Sequence, residues 1–125
     1  MDKVNKVLIV DDDDQISKMY TTHLEIKGFQ TMRVANGEDA LATTIEFKPD
    51  AILLDVMMPK ISGFDVLDIL KNTKQTASIP IIMLTALSAP EDREKALKLG
   101  ADEYLEKSTT DLPTILEKIN KLISK

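Results

Sequence analysis

Cysteine and tryptophan are absent from the 125 residues, and histidine occurs once, as His23. Without cysteine there is no disulfide scaffold, no thiolate metal centre and no cysteine nucleophile. A single histidine with no thiol leaves too few of the usual ligands for a structural zinc site. No apolar run approaches the ~20 residues that cross a bilayer. The opening Met1-Asp2-Lys3-Val4-Asn5-Lys6 lacks a signal peptide's apolar stretch. A surplus of positive charge is also missing: 16 basic residues face 21 acidic ones, for a net charge of −5. That balance lacks the broad basic footprint of a nucleic-acid binder. The expectation is a soluble, cytoplasmic protein with no membrane insertion and no direct nucleic-acid binding.

About 43% of the residues are hydrophobic, enough for one sizeable core, and the length suits a single domain over residues 1–125. Val7-Leu8-Ile9-Val10 stops at Asp11, Ala51-Ile52-Leu53-Leu54 stops at Asp55, and the run from Ile79 to Leu84 stops at Thr85. Short continuous apolar runs of this kind fit strands buried on both faces of a parallel sheet. Gln30 to Ala35 reads as an edge strand and Asp102 to Leu105 as a fifth strand, while Pro80 is tolerated only at the start of its strand.

The segments between them carry helical periodicity. Ile16, Met19, Tyr20, His23 and Leu24 form one stripe, with Gly28 as a stop. Asn36 is expected to cap a second helix to about Phe47, with Leu41, Thr44 and Ile45 inward; Phe64, Leu67 and Leu70 mark a third. Ser88-Ala89-Pro90-Glu91 has the pattern of a capping box for a fourth helix that Gly100 ends. Ile115, Leu116, Ile119, Leu122 and Ile123 stripe the fifth. Five β-α units in strict alternation predict a doubly wound, flavodoxin-like (βα)5 domain with strand order 2-1-3-4-5. Sites in such sheets lie beyond the carboxyl ends of the strands, at the switch between strands 1 and 3.

That edge should gather Asp11, Asp12, Asp13 and Asp14 from strand 1, Asp55 from strand 3, Thr85 from strand 4 and Lys107 from beyond strand 5. Each has an ordinary reading when taken singly. A run of acids suits a helix N-terminus, and a threonine at a strand end or a lysine on a loop is commonplace. Together they make a different statement. Converging carboxylates repel one another, and a hard cation such as Mg²⁺, which prefers a few carboxylates together with phosphate oxygens, relieves the conflict. An aspartate can itself be the nucleophile of phosphoryl transfer, with an ammonium and a hydroxyl stabilising the charge on the moving group.

The ordered set Val7-Leu8-Ile9-Val10-Asp11-Asp12-Asp13, Leu53 through Pro59, Ser62-Gly63-Phe64, Met83-Leu84-Thr85-Ala86 and Gly100 through Lys107 resembles the response-regulator receiver domains of two-component signalling. The likeness covers essentially the whole chain, and the block from Asp55 to Phe64 is its most specific part. It implies that Asp55 is the phosphoacceptor. Asp12 and Asp55 would ligate Mg²⁺ directly, Asp11 would do so through water, and the Met57 carbonyl would complete the protein ligands. Thr85 would swing towards the phosphoryl oxygens, Lys107 would pair with them, and Ala86 would leave space alongside. Tyr104 would turn inward with Thr85. The donor would be a phosphohistidine on a sensor histidine kinase or a histidine phosphotransfer protein, or a small phosphodonor. Phosphorylation would then bias the helix 4, strand 5 and helix 5 face toward an output partner that the sequence does not name. Dimerisation on phosphorylation is compatible with this. The domain would assist its own phosphorylation and dephosphorylation without being an enzyme on other substrates.

Three features depart from the pattern or bear on it. Ser108 stands where the family generally has a proline after a cis bond, and a cis bond before a non-proline residue costs ~2.5–4 kcal/mol. Either Lys107-Ser108 is cis, the expectation taken here because Lys107 must still reach Asp55, or the bond is trans and the loop is rearranged. Met57 and Leu87 are apolar where they would flank the phosphorylation site, so they either shield an acyl phosphate or merely pack on neighbouring loops. His23 reads as a packing or surface residue. Among competing functions, a Mg²⁺-dependent phosphatase would want a second acid where Met57 stands, and an FMN carrier would find its phosphate repelled by Asp11 to Asp14. A receiver-like interaction module that works without phosphorylation remains the alternative.

Overall fold

Three of the five strands are buried on both faces, and the rest of the architecture follows from them. The computed structural model describes residues 3–124. β1 (Lys6–Val10), β3 (Ala51–Leu54) and β4 (Ile81–Thr85) carry side chains that are almost wholly enclosed. β2 (Gln30–Val34) and β5 (Glu103–Glu106) are the edges. All four pairings are parallel, in the order β2-β1-β3-β4-β5. This is the predicted doubly wound sheet.

Because side chains alternate along a strand, the central strands feed two cores. Leu8, Val10, Ile52, Leu54, Ile81 and Met83 face one way. There they meet α2 (Ala40–Phe47), α3 (Gly63–Lys71) and α4 (Pro90–Lys98). Val7, Ile9, Leu53, Ile82 and Leu84 face the other way, onto α1 (Asp14–Ile26) and α5 (Leu112–Ile123). Helices on both faces leave only the strand ends free to build a site.

Helix ends and helix faces depart from the sequence expectations in four places. Met19 is 47% exposed and Ile45 38% exposed, because α1 and α2 bury narrower arcs than their apolar residues span. The inward residues of α1 are Ser17, Tyr20 and Leu24. Asn36 does not cap α2; its side-chain carbonyl accepts the Asp39 N–H in the preceding turn, and Asp39 occupies the cap position. Ser88 does not close a capping box, since α4 starts one residue later with Ala89 at the cap and Pro90 in the first turn.

The Lys107-Ser108 expectation is also corrected: no described peptide bond is cis. The Lys107 N–H donates to the Thr85 carbonyl at 2.8 Å, which carries the β4–β5 pairing on to the lysine itself. Thr109 N–H then closes a turn on the Glu106 carbonyl at 3.3 Å. Lysine placement is thus completed before the Ser108 peptide, and a trans bond there serves. The extra residues after it end in Asp111, whose carboxylate accepts the Thr114 N–H at 2.9 Å and caps α5.

Candidate functional site

Parallel register delivers the ends of β1 and β3 side by side. Val10 pairs with Leu54, and the Asp55 N–H donates to the Val10 carbonyl at 3.0 Å. The next side chain on each strand is therefore an aspartate at the same edge. Asp11 and Asp55 are 3% and 5% exposed, whereas Asp12 stands open to solvent. One carboxylate oxygen from each of Asp11, Asp12 and Asp55 lies within 4.8 Å of the others.

Lys107 joins the cluster from across the sheet. Its ammonium donates to Asp11 Oδ2 at 2.8 Å and to Asp55 Oδ2 at 3.1 Å. Burial works to lower the Lys107 pKa, but the hydrogen bonds and the attraction of the two carboxylates outweigh it and hold the group above the ordinary lysine value. Lys107 bridges two of the three carboxylates, and its single positive charge against three formal negative charges leaves a surplus that a divalent cation matches. The donors are hard oxygens, and their mutual distances suit a small ion with ligands at ~2.0–2.1 Å. These three aspartates could hold a metal.

The remaining oxygens of the buried acids are tied to backbone. Asp11 Oδ1 accepts the Asp13 N–H at 2.9 Å, and Asp55 Oδ1 accepts the Met57 N–H at 3.2 Å. The turn after β3 is held close by Gly63, where a Cβ would collide with the Asp55 carbonyl oxygen. Gly63 N–H donates to the Val56 carbonyl at 2.8 Å, and Ser62 caps the helix through the Asp65 N–H. Glycine at 63 lets the start of α3 pack against the backbone that carries Asp55.

A second group of residues forms a chain beside the cluster. Thr85 is fully buried at the end of β4, and its hydroxyl oxygen accepts the Leu87 N–H at 3.3 Å. Tyr104, on β5, donates its hydroxyl to the Leu87 carbonyl at 2.9 Å, and its ring is buried. Burial pushes the Tyr104 phenol upward, with Asp92, Glu106 and Asp55 adding to the shift. Thr85, Leu87 and Tyr104 are thus linked through one backbone loop, with Tyr104 already turned inward. Met57 is 53% exposed, and Ala86 is exposed.

A family model for the response regulator receiver domain matches residues 7–120. The chain belongs to the response regulator receiver domain family. This receiver domain is 44% identical over 108 residues to the transcriptional regulatory protein CpxR of Escherichia coli K12, covering 86% of this chain and 45% of CpxR. It is 36% identical over 118 residues to the DNA-binding dual master transcriptional regulator RpaA of a Synechocystis strain, covering 94% of this chain and 48% of RpaA. The chain therefore spans about half the length of the curated relatives it matches. Among solved structures, the BeF3-activated N-terminal receiver domain of Klebsiella pneumoniae RstA superposes with a TM-score of 0.89 at 26% identity. That match covers 97% of this receiver domain and all of the other chain.

The four consecutive acids of the sequence divide into three roles. Asp11 and Asp12 enter the cluster. Asp13 caps α1 by accepting the Ile16 N–H at 3.0 Å, the ordinary use of an acid at a helix start. Asp14 pairs with Arg33 at 2.7 Å. Arg33 was not legible as part of this region, since its principal partner is a backbone carbonyl. The only hint was a charged residue two positions from Thr31 in a strand whose inner face covers α1. His23 is partly buried, its Nε2 is enclosed without a hydrogen-bond partner, and it lies outside the cluster.

Proposed function

We propose that this receiver domain, taken as one unit over residues 1–125, is a phosphorylation-activated switch whose phosphoacceptor is Asp55. The observation that carries the reading is the shared lysine: Lys107 bridges Asp11 and Asp55 while Asp12 stands within reach of both. An isolated aspartate on a strand end would not require that arrangement.

Asp12 and Asp55 would hold Mg²⁺ directly, with Asp11 acting through water and the Met57 carbonyl alongside. When bound, the cation supplies neutralisation of charge on the transferring phosphoryl group. The chain's own groups do the rest. A carboxylate oxygen of Asp55 attacks the phosphorus of a phosphohistidine on a kinase or phosphotransfer protein. The O–P bond forms as the N–P bond breaks, and the electron pair leaves on the imidazole nitrogen, which takes up a proton. Lys107 stays close enough to exchange a carboxylate partner for a phosphoryl oxygen. The product carries up to about two negative charges and three acceptor oxygens, which recruit the Thr85 hydroxyl. Its movement disturbs the Leu87 N–H, and through the Leu87 carbonyl the disturbance reaches Tyr104 and the α4–β5–α5 face.

The exchange would take place in the cytoplasm, with an output domain or partner reading that face. Met57 and Leu87, each two residues beyond a site residue (Asp55 and Thr85), would as apolar neighbours slow hydrolysis of the acyl phosphate; Met57→Asn and Leu87→Glu should release phosphate faster, and unchanged rates would remove the shielding role. The primary test is incubation with acetyl phosphate or beryllofluoride and Mg²⁺, followed by intact mass or spectral change. The parent should be modified and Asp55→Asn should not. Uptake that persists in Asp55→Asn removes Asp55 from its role. No uptake by the parent would favour an interaction module that works without phosphorylation.

A further inference from the structure

Arg33 sits on β2, an edge strand, yet its side chain is only 25% exposed. It runs back over the sheet edge instead of out to solvent. Thr31 and Arg33 share the face that meets α1: Thr31 donates its hydroxyl to Glu25, and Arg33 reaches the start of the same helix. The guanidinium fork closes on one atom. Nε donates to the Asp11 carbonyl oxygen at 3.1 Å and Nη2 donates to the same oxygen at 2.9 Å. Nη1 donates to Asp14 Oδ1 at 2.7 Å, and Ser17 adds a longer contact of 3.4 Å to the Asp11 carbonyl from within α1.

That carbonyl needs donors for a geometric reason. β1 and β2 pair in register up to Val10 and Val34, and the Asp11 N–H still finds the Val34 carbonyl at 3.2 Å. Beyond that point the chain after β2 turns away toward α2, and among the described residues no strand N–H continues the ladder to the Asp11 carbonyl. The residue is buried, so water does not replace the missing donor. Arg33 supplies two N–H groups in a rigid plane and at the same time grips Asp14, three residues further along the turn. Arg33 thus anchors the turn that presents Asp12 at the Asp11 carbonyl, and its pairing with the 87% exposed Asp14 side chain adds little.

We infer that Arg33 is a positioning residue for the cation site, fixing the β1–α1 turn so that Asp11 and Asp12 stand ready beside Asp55. The inference rests on the proposal that these acids hold Mg²⁺, and it adds a residue that never touches the ion. It makes a prediction opposite to that of simple electrostatics. If the guanidinium acted only as a nearby positive charge, removing it would strengthen Mg²⁺ binding. If it acts by fixing the turn, removing it weakens binding, and a lysine that keeps the charge but loses the planar fork recovers only part of the loss.

The experiment is a Mg²⁺ titration of the ¹⁵N-labelled chain without phosphodonor, following amide shifts in the parent, Arg33→Met, Arg33→Lys and Asp14→Asn. Urea unfolding of each variant runs in parallel. Arg33→Met should raise the Mg²⁺ dissociation constant about tenfold, the usual scale for groups that orient metal ligands. Arg33→Lys should fall between it and the parent. Asp14→Asn, which breaks only the exposed ion pair, should stay within about twofold of the parent. A purely structural arginine would lower the urea midpoint and leave the dissociation constant of the folded protein unmoved. Binding in Arg33→Met as tight as in the parent, or tighter, overturns the inference while leaving the cation site intact. A parent that shows no Mg²⁺-dependent shifts in residues 11–13 and 55–57 removes the site and the inference together.

Discussion

The two ends of the sheet use the same ingredients to different effect. At the amino end, Asp50 accepts the Lys6 N–H at 2.8 Å on one oxygen and the Lys3 ammonium at 2.7 Å on the other. Asp102 accepts the Ile81 N–H at 2.8 Å and the Lys71 ammonium at 3.2 Å, while Lys71 also donates to the Ile79 carbonyl at 2.9 Å. Each acid there has a lysine and a strand N–H of its own, so charge is settled locally and the start of a strand is stapled. At the carboxyl end, Asp11 and Asp55 share Lys107, and Asp12 joins their cluster with no lysine of its own. Without a cation an unbalanced cluster costs stability, and that imbalance is what marks the carboxyl end as the candidate site. Local charge balance, more than the presence of acids and lysines, separates the staple from the site.

The largest expected effect on stability comes from making the carboxyl end still less balanced. Lys107→Met leaves Asp11 and Asp55 buried without their cation and should lower the unfolding free energy by about 3–5 kcal/mol in metal-free buffer. Part of that loss should return on adding Mg²⁺, measured by urea unfolding with and without the ion. The pH dependence has a fixed sign. Because the folded-state pKa of Lys107 is raised, its contribution is complete below the ordinary lysine value of about 10.4. It is lost as pH rises through the folded value. Lys107→Met should therefore lack the alkaline component of the parent's stability curve.

At the amino end the same kind of change has a smaller and purely structural effect. Asp102→Ala strands Lys71 and the Ile81 N–H and should cost about 1–3 kcal/mol, with phosphorylation of the folded fraction unchanged. The sign reverses for the exposed member of the carboxyl cluster. Asp12→Asn removes one of three repelling charges, so the metal-free fold should gain up to about 0.8 kcal/mol, the repulsion of two unit charges ~5 Å apart in water. The same variant should lose Mg²⁺-dependent stabilisation. An acid whose removal stabilises the fold and abolishes metal response would mark the boundary between the two ends.

Much of this contrast was legible in the amino-acid order. β1, β3 and β4 announce themselves because a strand buried on both faces has no room for a charge, so the first polar residue after each apolar run, an acid after β1 and β3 and Thr85 in β4, marks its end. In β1 and β3 that acid became a site residue for the same reason. What stayed hidden depends on the backbone. Arg33 serves a carbonyl oxygen, and no side-chain pattern reports an unpaired carbonyl. Met19 and Ile45 looked inward because periodicity gives the direction of an apolar face but not the width of the arc a neighbour covers. Ser88 and Asn36 are good caps in composition, and each was displaced by the turn that leads into its helix. The Lys107-Ser108 bond was expected to be cis on the assumption that lysine placement depends on it, whereas the β4–β5 ladder already places Lys107.

The most direct test of the charge-balance account is paramagnetic broadening of the amide spectrum by sub-stoichiometric Mn²⁺, which takes the same hard oxygen ligands as Mg²⁺. Signals from residues 11–13, 55–57 and 107 should vanish first, and excess Mg²⁺ should restore them. Signals around Asp50 and Asp102 should persist throughout. Broadening that begins at Asp50 or Asp102, or that strikes both ends of the sheet equally, would contradict the account.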